Sequence, residues 1–66
     1  MFKIGDRVCH IYHMSNAGII VEMYQQQVTA ENTAGVFSKR WMVRFKSELD
    51  NKVYEMKAQD LMKADL

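Results

Sequence analysis

Hydrophobic and polar residues alternate with a period of two along much of this chain, and the places where the alternation fails mark its turns. From Arg40 to Lys46 the pattern is cleanest: Trp41, Val43 and Phe45 point to one side, while Arg40, Met42, Arg44 and Lys46 point to the other. The apolar set belongs in a core. Lys52 to Lys57 alternates in the same way, with Tyr54 and Met56 on one side and Val53, Glu55 and Lys57 on the other. The intervening Ser47-Glu-Leu-Asp-Asn51 reads as a hairpin turn. Pairing Phe45 with Tyr54, Val43 with Met56 and Arg44 with Glu55 keeps both faces consistent, whereas a slip of one residue would bury Glu55.

Upstream, Arg7 to His13 places Val8, His10 and Tyr12 on one face and Cys9, Ile11 and His13 on the other, a strand with both sides partly covered. Gly5-Asp6 and Ser15-Asn16-Ala17-Gly18 read as turns, and a second strand begins near Gly18. Because Glu22 should face water, Ile19, Val21 and Met23 are expected on the core side, with Ile20 and Tyr24 outside or beyond a bend. Gln25 to Ser38 has no sustained periodicity and reads as one long loop, with room for strand-like extensions at Gln25–Val28 and Gly35–Phe37. Loops of this length often carry function, which makes it the expected partner-facing element. Ala58-Gln-Asp-Leu61 reads as one short helical turn with Leu61 plugging one end of the fold, followed by a short final strand or fraying tail. The pattern as a whole predicts a single all-β domain over residues 1–66, a small barrel of about five strands.

Composition narrows the function classes. A chain of 66 residues has room for one domain near the lower size limit of unaided folding. The net charge of +1 supplies no global field toward nucleic acid or an anionic membrane, so any such contact must be local. One cysteine, Cys9, cannot form an internal disulfide, and no charged-then-apolar leader follows Met1, so a cytoplasmic location is expected. The longest apolar run, Gly18 to Val21, is far short of a membrane span.

Several fragments carry a family likeness: Gly5-Asp-Arg-Val8 with His10 two positions on, Gly18 opening an aliphatic strand, Val43-Arg-Phe45 with an aromatic flank, and the closing Ala58-x-Asp-Leu61. In that order they resemble SH3-like barrels of the Tudor and KOW type. The nearest likeness is to the C-terminal Tudor-like domain of UvrD-type helicases and the RNA polymerase-interaction domain of CarD-type transcription factors. The resemblance spans about Lys3 to Leu61 and implies an SH3-like barrel serving transcription or repair machinery. Those families usually carry a Phe-Gly-x-Gly-like turn before the second strand; here the chain reads Met14-Ser-Asn-Ala-Gly18, and Gly18 alone matches.

Candidate chemistry is sparse. Cys9, His10 and His13 lie close in sequence, but on a strand His10 faces away from the other two, and no second cluster completes four zinc ligands, so neither metal nor cofactor is expected. No nucleophile–base spacing and no glycine-rich phosphate cradle is present, which argues against an enzyme. An aromatic cage could draw only on Tyr12, Tyr24, Trp41 and Tyr54, and the last two are expected inside. The remaining signals are on the surface. Lys39 to Lys46 carries four cations and no carboxylate, and six methionines include Met42 on its outward side, expected near Ile20 and Val53. The expected function is a non-catalytic protein-binding adaptor, steered by Arg40, Arg44 and Lys46 and anchored by Met42 and Val53, with homodimerisation through a barrel edge as one form of it. The alternative is single-stranded nucleic acid on the same basic face, with Tyr24 or Phe37 stacking on a base and Glu48, Asp50 and Glu55 partly neutralising the stripe.

Overall fold

The computed structural model describes residues 2–29 and 37–64, which form five strands and one short 3-10 turn. The strands are β1 (Arg7–His10), β2 (Ala17–Thr29), β3 (Phe37–Ser47), β4 (Val53–Lys57) and β5 (Leu61–Lys63), with the 3-10 turn at Ala58–Asp60. They make one antiparallel sheet in the order β4-β3-β2-β1-β5. The β3–β4 register is the expected one, with Phe45 opposite Tyr54, Arg44 opposite Glu55 and Val43 opposite Met56. Asn51 closes this hairpin at φ 61°, a left-handed conformation that asparagine tolerates better than most residues.

The core consists of Val8, Ile20, Val43, Phe45 and Leu61, with Phe2, Met23, Met56 and Ala58 packed against it. Leu61 enters it directly after the 3-10 turn, as expected. The facing of β2 differs from expectation. Ile20 is the buried residue, opposite Phe45, while Ile19 and Val21 are exposed. The register shifts by one residue between Ile20 and Glu22, a β-bulge that leaves Val21 without a partner. Strict alternation cannot turn both Ile20 and Met23 inward; the bulge does, and it keeps Glu22 outside opposite Arg44.

Two expected core aromatics are corrected. Trp41 lies on the same side of β3 as Val43 and Phe45 but is 37% exposed, because the core ends at the Met23–Val43 pair and the next partner on that side is Gln25. Tyr54 is 38% exposed; its ring tilts 6.1 Å from Phe45 and its hydroxyl reaches out to Asp50.

The loop expected from Gln25 to Ser38 is corrected in its extent, while the strand-like extension allowed for at Gln25–Val28 is present and Phe37 lies in β3. Gln25–Thr29 extends β2 and Phe37–Ser38 begins β3, with the pairing running from Gly18↔Ser47 out to Thr29↔Phe37; the centre of that stretch, residues 30–36, lies outside the described residues. β1 flanks β2 only at Ala17–Ile19, and β4 flanks β3 only at Met42–Lys46. Beyond them the two long strands continue as a two-stranded ribbon. β2, with its 13 residues rising about 3.3 Å each, makes up most of the 43 Å long dimension of the molecule.

The two outer strands, β4 and β5, are not paired with each other, so hydrogen bonding does not close the sheet. It is nevertheless strongly curled. In a flat sheet four spacings of about 4.8 Å would part β4 from β5 by about 19 Å, yet the chain from Lys57 to Leu61 reaches at most about 15 Å. The 3-10 turn makes this crossing against β3.

Arg7 ties the curled ends together. Its guanidinium donates to both carboxylate oxygens of Glu48, at 2.7 and 2.8 Å, and to the carbonyl of Ala64 at 2.9 Å. The hydrogen bonds from Arg7 hold the Glu48 carboxyl below the usual carboxylate range, and the Tyr54 hydroxyl, then the Lys52 N–H, do the same for Asp50. A depressed folded-state pKa contributes stability that is complete above the unfolded value, near pH 4, and is lost as pH falls through the folded value. Urea midpoints are therefore expected to be level from about pH 7 to 5 and to fall below about pH 4. In Glu48→Gln the midpoint should be lower at neutral pH and the acid-side drop smaller.

Candidate binding face

Away from the core, β2, β3 and β4 present an outer face arranged in cross-strand rows. Alternation outward from the buried Phe45 puts Lys46, Arg44, Met42 and Arg40 of β3 on this face. Their partners complete the rows: Ile19, Lys46 and Val53; then Glu22, Arg44 and Glu55; then Tyr24, Met42 and Lys57; then Gln26 and Arg40. Six of the seven residues expected to form the site, Tyr24, Arg40, Met42, Arg44, Lys46 and Val53, are thus brought together. Phe37 is not placed with them: it opens β3 opposite Thr29 at the far end of the ribbon, and its side chain lies outside the described residues.

Arg44 is the centre of the face. Its Nη1 lies 2.8 Å from the Glu22 carboxylate and its Nε 3.5 Å from Glu55. Its Cζ lies 5.5 Å from the centre of the Tyr24 ring, within range for a cation–π contact. The Tyr24 hydroxyl in turn donates to Glu55, so four side chains from three strands hold one another in place. Further along, the Arg40 Nε donates to the Gln26 side-chain oxygen at 2.9 Å. Exposed ion pairs of this kind add about 0.2–1 kcal/mol each to stability at most; their effect is to fix the orientation of the guanidinium and the ring.

The expected neutralisation of the basic stripe is corrected in its partners. Glu55 reaches Arg44, but Glu48 is engaged by Arg7 and Asp50 by Tyr54. The second carboxylate is Glu22, which only the bulge in β2 carries opposite Arg44. The apolar patch is corrected as well. Met42 does not lie near Ile20, which is in the core; its row neighbours are Tyr24 and Lys57. Val53, 55% exposed, lies instead in the row of Ile19, 39% exposed, with the Arg44 row between this pair and Met42. Ile19 was missed because it is interchangeable in sequence with its neighbour Ile20.

Elsewhere, His10 and His13 are closer than a continuous strand would allow, because β1 ends at His10 and the chain turns. Their ring centres lie 5.3 Å apart, Tyr12 packs 5.7 Å from His10, and the Tyr12 N–H donates to His10 Nδ1 at 3.1 Å. Cys9 is buried beside them in sequence. Among the described residues no three His, Cys, Asp or Glu side chains are grouped as metal ligands, and no ligand-sized cavity is present. No helix among them is long and apolar enough to cross a membrane. The chain matches no protein-family model, no curated protein and no solved structure.

Proposed function

We propose that this chain is a non-catalytic protein-interaction module whose docking surface is the outer face of β2, β3 and β4. The observation that carries the reading is the Arg44 cluster. Tyrosine, methionine and arginine are the residue types that anchor protein interfaces, and here Tyr24, Met42 and Arg44 share one face with exposed Ile19 and Val53. Because Arg44 and Tyr24 already hold each other and their carboxylate partners, docking a partner on them forfeits little side-chain entropy. Among the described residues, Arg40, Lys46 and Lys57 have no carboxylate within ion-pair distance, and they ring this centre with positive charge that suits a partner with an acidic rim.

The strand order β4-β3-β2-β1-β5, the strong curl and the 3-10 turn leading into the last strand support an SH3-like architecture of the Tudor or KOW type. A place beside transcription or DNA-repair machinery follows from that resemblance. Nucleic acid is the weaker reading of this face, since a phosphate at Arg44 would have to displace two carboxylates.

The test is affinity capture from nuclease-treated lysate, comparing the native chain with Arg44→Ala and Val53→Asp, each first shown to melt cooperatively. A specifically retained protein should be lost from both variants, at a cost of about 2 kcal/mol or more for an interface anchor. Retention that is unchanged in both, or that disappears with nuclease treatment, contradicts the reading.

A further inference from the structure

The opposite side of the ribbon has a different character. On β3 the residues that follow Phe45 and Val43 outward on the core side are Trp41 and Lys39, and their partners on β2 are Gln25 and Gln27. Val43 and Phe45 are fully buried, but among the described residues no element covers this continuation: Trp41 is 37% exposed, and Gln25, Gln27 and Lys39 are exposed around it. The ribbon segments 25–29 and 37–41 contain no aspartate or glutamate. Among the described residues Lys39 has no ion-pair partner. Arg40, on the other side and tied to Gln26, adds to the local positive field.

We propose that this uncovered ribbon face binds single-stranded nucleic acid, with Trp41 as the stacking platform for a base and Lys39 as the contact to a neighbouring phosphate. An indole offers an apolar surface that every base can stack on, and the backbone position of Lys39, two residues along the same strand and on the same side, lies about 6.6 Å away. The glutamine amides carry both donors and acceptors and can meet the exposed edge of any base. A protein partner would favour further exposed apolar contacts around the tryptophan; Val43 beside it is buried and Met23 is packed against the core, and its exposed neighbours are amides and an ammonium. A duplex keeps its bases stacked on one another and presents only their edges, which leaves the indole without a partner. This surface is separate from the Arg44 face, and the two are tested independently.

Trp41 is the only tryptophan in the chain, so its emission reports on the site directly. The probe is a short oligothymidylate, titrated at low and moderate salt with parallel anisotropy of labelled oligonucleotide. Saturable quenching is expected, with affinity falling as salt rises by a slope of about −0.7 per phosphate neutralised. Trp41→Ala should weaken binding about 5- to 150-fold, the worth of one stacked base, while Trp41→Phe keeps most of it. Lys39→Glu, an exposed change that leaves the core untouched, should weaken binding and flatten the salt slope. Four results overturn the proposal: no binding at low salt, binding that leaves Trp41 emission unchanged, equal or tighter binding of the matching duplex, or quenching that follows self-association of the protein without the oligonucleotide.

Discussion

Phe45→Ala is expected to leave the chain unfolded at room temperature. Phe45 is fully buried at the middle of β3, opposite Ile20 on one neighbouring strand and Tyr54 on the other, so its ring fills the space between three strands. Truncating a buried phenylalanine costs about 3–5 kcal/mol, and a single core in a chain below about 70–80 residues rarely supplies more than that in total. Far-UV circular dichroism in water should therefore lose its β signal, with no cooperative urea transition. Val53→Ala, on the neighbouring strand β4 and 55% exposed, should stay within about 0.5 kcal/mol of the native chain. A cooperatively folded Phe45→Ala protein of near-native stability would contradict the assigned core.

Gly18→Ala should be nearly as damaging, although it adds only a methyl group. Gly18 is paired on both sides, with Val8 in β1 and Ser47 in β3. A Cβ there would lie 2.2 Å from the carbonyl oxygen of Lys46, 2.7 Å from its carbon and 2.7 Å from Cδ2 of Phe45. Two of these three atoms are backbone, so relief requires β2 and β3 to move apart where the sheet is four strands wide, in the row Ser47, Gly18, Val8 and Lys63. The expected cost is about 3 kcal/mol or more, at the upper end for overpacking, and is read from the shift of the urea midpoint. Gly5 is a contrasting case: its φ of 97° needs glycine for conformational reasons, and a Cβ there meets no neighbouring atom.

The parts of the fold that were legible in the sequence are those where two kinds of signal agree. The β3–β4 register could be read because Val43 and Phe45 alternate with cations, and because Arg44 and Glu55 fix the phase of the pairing. The same parity rule collected Tyr24, Arg40, Met42, Arg44, Lys46 and Val53 on one face. Where signals were degenerate, the reading failed. Ile19, Ile20 and Val21 are interchangeable by composition, so nothing local marks which is the bulge and which the core residue. With it went the identity of Glu22 as a partner of Arg44. The ribbon was legible only as room for strand-like extensions at Gln25–Val28 and Gly35–Phe37: among the described residues β1 and β4 do not flank it, so its residues have no buried face to generate a period of two. Trp41 was assigned inside by parity alone, which gives the side of a strand and not how far along it the core extends.

The bulge connects these outcomes. It lets Ile20 and Met23 both enter the core, sets Glu22 against Arg44 on the binding face, and fixes the register in which Gln25 meets Trp41 on the ribbon. Both proposed surfaces therefore depend on one irregularity in one strand. The direct measurement is the set of cross-strand backbone NOEs between β2 and β3 in isotopically labelled protein. Contacts linking Ile20 with Phe45, Glu22 with Arg44 and Gln25 with Trp41 are expected. Contacts linking Val21 with Arg44 and Glu22 with Val43, an unbroken register that would turn a carboxylate into the core, would contradict the account.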